Sequence, residues 1–167
     1  ASDVYKRQMI YNAIAQSGQP IISYNFGIRN QDRISRTVRL MIKTALTCGI
    51  CFFIFTALFS RQIVALFIDE SYAAYHIAVK GLPYFAFGFI FFALNMVGIG
   101  YYQSIEKAHR ATIVTLLRGI VFMSVGFFLL PLLWGIKGIW LAVPSAELLT
   151  LLFIGGIYAK EHWRTRR

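Results

Sequence analysis

One acidic residue stands inside a long apolar stretch: Glu147, three residues after Pro144 in GIWLAVPSAELLTLLFIGGIYA. A carboxyl in such surroundings is costly to bury, so it carries a proton, contacts a cation, or is held by hydrogen bonds as a structural acid. A carbonyl freed by Pro144 is one structural partner available to it. A second apolar stretch holds Tyr84 and Asn95, eleven residues apart, which is about three turns and roughly one helix face. These two either line a cavity or bond between helices. The third group lies in GQPIISYNFG, residues 18–27: Gln19, Pro20, Tyr24 and Asn25, with Asn12 and Gln16 just before. Amides left unpaired in lipid cost about several kcal/mol each, so these should face a bundle interior or an aqueous cavity. Pro20 removes one backbone donor and is expected to kink its helix.

Other chemistries find little support. Cys48-Gly-Ile-Cys51 has the spacing of a redox pair, but its apolar surroundings offer no basic partner to activate a thiol. His76, His109 and His162 fall on separate links, so no metal site is expected. No glycine-rich phosphate loop occurs, and an intramembrane enzyme would need an acid, base or metal cluster at one depth. The aromatic run YFAFGFIFF could stack on a planar cation. Lipid and neighbouring helices are its ordinary contacts, with cavity roles considered only for Tyr84, Phe87 and Phe91.

These residues must be positioned by membrane helices. The 167-residue chain is 57% hydrophobic and 14% charged, with mean hydropathy +0.60, whereas a soluble domain is about a quarter charged. Apolar segments run over about 45–68, 82–102, 111–134 and 138–159. Each is near the length of ~20 residues that crosses a bilayer as a helix. The less apolar stretch 9–27 makes a fifth span. Lipid offers no partner to open backbone groups and the alternation of a barrel is missing, so the fold class is all-α and integral to the membrane.

The net charge of +10 does not mark a nucleic-acid binder, because the basic residues sit between apolar runs. They mark orientation instead. One face would hold Arg29, Arg33, Arg36, Arg39, Lys43, Lys107, Arg110, a shallow Arg118, Lys160, Arg164, Arg166 and Arg167. The other would hold Arg61, Lys80 and Lys137 beside Asp69 and Glu70. Twelve against three puts the first face and the C-terminus in the cytoplasm. The basic stretch 29–43 also suits contact with anionic lipid.

Residues 1–8, ASDVYKRQ, resemble the in-frame translation of an adapter used in DNA sequencing libraries. On that reading they are not native, and the chain begins inside a longer frame.

The pattern Gln19-Pro20-Ile21-x-x-Tyr24-Asn25-x-Gly27 before a basic segment resembles the eighth helix of the multidrug and toxic compound extrusion (MATE) family. YYQSIEKAHRATIVTLLRG is similar to its link between helices ten and eleven, and GIKGIWLAVPSAELLT to the start of its twelfth. The resemblance spans Met9 to Trp163. It implies about five helices forming most of the second six-helix lobe, with the N-terminal lobe missing. It also implies export of drugs or toxic, often cationic, organic compounds in exchange for Na⁺ or H⁺ by alternating access, with no other cofactor, in a bacterial inner membrane. Gln19, Pro20, Tyr24 and Asn25 would lie on the lobe interface. Some branches carry a coupling carboxylate in the tenth helix; here that span, 82–102, has none, and Asn95 is its only mid-span amide. The alternative function is a flippase for lipid-linked oligosaccharides of related fold. It would need cationic side chains in the cavity, where Arg118 is the one available.

Overall fold

The computed structural model of the chain describes the backbone of residues 2–165 and the side chains of residue 13 and residues 16–161. The side chains of Asn12, His162, Arg164 and residues 1–8, and the whole of Arg166 and Arg167, lie outside the described residues. Helices follow one another almost without interruption: α1 Ser2–Gly27, α2 Gln31–Leu58, α3 Ser60–Ala65, α4 Ala73–Ser104, α5 Ala108–Leu116, α6 Met123–Trp134 and α7 Ile136–Thr165. A π-helical segment, Leu117–Phe122, joins α5 to α6 into one long rod. No strand occurs among the described residues.

Among the described residues, four stretches are long and apolar enough to cross a membrane: Gln31–Leu58, Ala73–Ser104, Ala108–Trp134 and Ile136–Glu161. The fifth expected span, 9–27, lies within α1, which stays helical through Pro20. The span expected over 45–68 begins and ends earlier. Asn30 caps α2, its Oδ1 accepting the Arg33 N–H at 3.1 Å, so the helix starts at Gln31 and includes the basic stretch. Phe59, with φ −103° and ψ 21°, breaks the helix. The polar Ser60-Arg61-Gln62 then opens the short α3, and the apolar residues 63–67 leave the span. Between α6 and α7 the chain turns at Gly135, whose φ of +58° suits a residue without a Cβ.

The bundle is apolar outside and encloses a few polar groups inside an otherwise apolar core. Leu132 is 82% exposed and Phe128 76%, a surface that water would not tolerate and lipid does. Asn25, Thr56, Asn95, Glu147 and Thr150 are buried. Ile22, Ile34, Met41, Ala45, Ala93, Val97, Tyr102 and Val114 pack together as the core. Helices α4 and α7 run parallel, since Gly88 meets Pro144, Asn95 meets Glu147 and Lys107 meets Glu161 in ascending order. Between helices in lipid, packing and hydrogen bonds replace the hydrophobic effect, so small residues set the approach.

Gly88 shows that dependence. A Cβ there would lie 3.2 Å from the Pro144 Cα. Gly88→Leu should therefore force α4 and α7 apart and destabilise the protein by about 1–3 kcal/mol. Gly119→Leu, at a position open to surroundings, should have little effect. Thermal unfolding of the detergent-purified variants compares them, and equal midpoints would refute the close contact.

Candidate functional site

The charged centre of the bundle is a three-helix cluster. The Asn95 Nδ2 on α4 donates to the Glu147 Oε2 at 2.7 Å and to the Glu147 backbone carbonyl at 2.8 Å. From the π-helical segment, the Arg118 Nη1 lies 3.7 Å from the Glu147 Oε2 and 3.8 Å from the Met96 Sδ. The guanidinium also sits 4.9 Å from the centre of the Phe92 ring, a favourable place for a cation on an aromatic face. Both charged side chains are enclosed, at 17% exposure for Arg118 and 7% for Glu147. Asn95 is completely buried, and its Oδ1 has no hydrogen-bond partner.

Depth gives the cluster its meaning. Arg118 lies ten residues into the rod that begins at Ala108, about 15 Å along its axis. Asn95 lies nine residues before the end of α4, about 14 Å, and Glu147 eleven after the start of α7, about 17 Å. Counted from these helix ends, the three fall at similar depths, about half the ~30 Å thickness of a hydrocarbon layer. Charged groups there are expensive, and they occur facing one another or a cavity.

Arg118 departs from the place expected of it. It is not a shallow residue of the cytoplasmic face but the ion partner of Glu147. The π-helical turn takes more residues per turn than an α-helix, which changes the direction in which its side chains leave the rod. Such turns occur often at functional sites.

The other candidates fall into separate places. Gln19 donates through Nε2 to the Gln103 Oε1 at 2.9 Å, and the Ser23 hydroxyl donates to the Ser104 carbonyl at 3.1 Å. These bonds tie α1 alongside the end of α4. Asn25 is only 2% exposed; its Nδ2 donates to the Ile21 carbonyl at 2.7 Å, and its Oδ1 is unpartnered. Pro20 and Tyr24 face outward from the described bundle, Tyr24 at 67%. Tyr84 is 44% exposed, about 17 Å along α4 from Asn95, so the two do not meet. Phe87 stacks edge-on against Phe53 and Phe91, an aromatic seam rather than an enclosed box. Cys48 and Cys51 are free thiols.

At the end of the bundle that holds the α4–α5 link, the Lys107 Nζ lies 2.5 Å from the Glu161 Oε1, and Arg110 pairs with the same oxygen. Burial first, and then the nearby Arg110 charge, hold the Lys107 ammonium below the usual lysine range.

A polytopic helical bundle with an ion pair closed inside it at mid-depth has the build of a membrane transporter. The MatE family model matches residues 8–129, and the chain belongs to that family of transporters. No curated protein and no solved structure matches it. Asn95 and Arg118 fall within the matched residues and Glu147 beyond them.

Proposed function

We propose that the chain forms most of the second lobe of a MATE-type exporter that expels toxic organic compounds, often cations, in exchange for H⁺ or Na⁺. The lobes rock around a central cavity, and Glu147 is the coupling group. The observation that carries this reading is the Asn95–Glu147–Arg118 cluster enclosed between α4, α7 and the π-helical turn. With Glu147 ionised, the Arg118 charge and the Asn95 amide compensate it. A proton arriving on Glu147 weakens both contacts and leaves Arg118 without its counter-ion, so the two protonation states favour different packings of α4, α7 and the π-helical turn. The proton is the better ion for this geometry. It needs one lone pair, whereas a metal ion needs several oxygen ligands and would be repelled by the guanidinium. A pyrophosphate flippase is less well served, because the interior cation is already paired.

In proteoliposomes holding the assembled transporter, an imposed pH gradient should drive export by the wild type, and Glu147→Gln should abolish that dependence. Export by Glu147→Gln that still follows the gradient would move coupling elsewhere.

The same reading places the protein in a bacterial inner membrane with its C-terminus in the cytoplasm. With Arg118 removed from the twelve basic residues, eleven against three still support that orientation. Single cysteines at Gln31 and Ser71, both exposed, can be introduced after replacing Cys48 and Cys51. An impermeant maleimide should label position 71, not 31, in spheroplasts. The reverse pattern would invert the topology.

A further inference from the structure

A cleft of about 310 Å³ opens between α5 and α7, lined by Arg110, Ile113, Phe153, Ile157, Lys160 and Glu161. Its lining is ordered by depth. Arg110, Lys160 and Glu161 form the rim. Ile113 lies three residues further into α5, and Ile157 and Phe153 lie three and seven residues back along α7 from Lys160. Those spacings put the apolar wall about 4 to 10 Å deeper in the membrane than the charges. A phospholipid has the same order, a charged head at the interface and hydrocarbon beneath.

The charges are unbalanced. Lys107 and Arg110 pair with Glu161, and with Lys160 the three basic residues outnumber Glu161 and the neighbouring Glu106, leaving a surplus of one positive charge at this end. The Lys107 and Arg110 side chains remain 40% and 37% exposed despite their ion pairs. The guanidinium fork of an arginine can hold Glu161 on one edge and a phosphate on the other. The basic stretch 29–43 offers charge too, but as an exposed row along a helix.

We propose that this cleft is a binding site for an anionic phospholipid. Arg110 and Lys160 contact the head-group phosphate, and Ile113, Ile157 and Phe153 receive the first part of an acyl chain. Lys107 supplies long-range attraction while Glu161 holds the rim together and partly competes with the ligand. Basic pockets between membrane helices on the cytoplasmic side recognise head groups in this way. The site lies at the end of the bundle, apart from the Glu147 cluster.

The test is native mass spectrometry of the full chain, purified in detergent and equilibrated with equal phosphatidylglycerol and phosphatidylcholine. The wild type should retain the anionic lipid preferentially. Arg110→Gln/Lys160→Gln should reduce that preference by about fivefold or more, since each basic side chain near an anionic head contributes about that factor. Arg36→Gln/Arg39→Gln should leave it unchanged, and Glu161→Gln should increase it by removing the competing carboxylate. That gain cannot come from loss of fold. The proposal is overturned if the preference survives Arg110→Gln/Lys160→Gln, if it falls equally in Arg36→Gln/Arg39→Gln, or if excess inorganic phosphate displaces the lipid, which would make the site one for free phosphate.

Discussion

Glu147→Ala should be among the most damaging single substitutions in this chain, and a second substitution should repair the fold without repairing transport. Removing the carboxylate leaves the Arg118 guanidinium at mid-membrane with Met96 and Phe92 as neighbours and no opposite charge. Breaking a buried pair on one side costs about 3–5 kcal/mol, whereas replacing both partners by apolar residues of similar size is often neutral. Glu147→Ala should therefore lower the unfolding midpoint and the yield of folded protein. Glu147→Leu/Arg118→Met should restore both. The coupling role predicts that the double variant, although folded, exports without response to a pH gradient. A double variant that remains coupled would reduce the cluster to a structural brace. Persistent instability of the double variant would show that Asn95, which also bonds the Glu147 carboxylate, leaves its own penalty once that partner is gone.

The sequence exposed this cluster unevenly, for physical reasons. Glu147 was legible because a carboxyl in an apolar run is conspicuous wherever it points. Asn95 was legible as a mid-span amide, though its choice between cavity and helix contact needed the α7 partner. Arg118 was misread because it lies eight residues beyond Arg110 and hydropathy assigns such a residue to the adjoining basic link. It lies in the π-helical turn over 117–122, which leaves no pattern in residue types. The early start of α2 was more accessible. Asn30 followed by Asp32 in the first turn is an ordinary helix-start signal, and Ile34, Met41 and Ala45 keep the spacing of a buried face. Arg33, Arg36, Arg39 and Lys43 outweighed it in the hydropathy count. The cleft between α5 and α7 joins residues some fifty positions apart, which only the fold brings together.

Asn25→Leu should separate a transport role for α1 from a packing role. Asn25 is buried, and its Oδ1 has no partner. Its one bond, to the Ile21 carbonyl, is made to an acceptor four residues back on its own helix. A buried acceptor left unpaired costs about 1–3 kcal/mol, and an apolar residue of like size removes that cost. Asn25→Leu should therefore leave the folded protein as stable as the wild type or somewhat more so. A stabilising change available at a single codon implies that the amide serves something other than the fold. On the exporter reading, Oδ1 finds its partner when α1 and the opposite lobe come together during exchange, so Asn25→Leu should lower export per folded molecule severalfold. Tyr24→Ala acts from the outward side of the same helix and Gln19→Ala from its contact with Gln103 of α4; both should also lower export, with little change in folded yield. Wild-type export per folded molecule in all three would remove α1 from the transport path. A loss of stability in Asn25→Leu would assign the amide to packing after all.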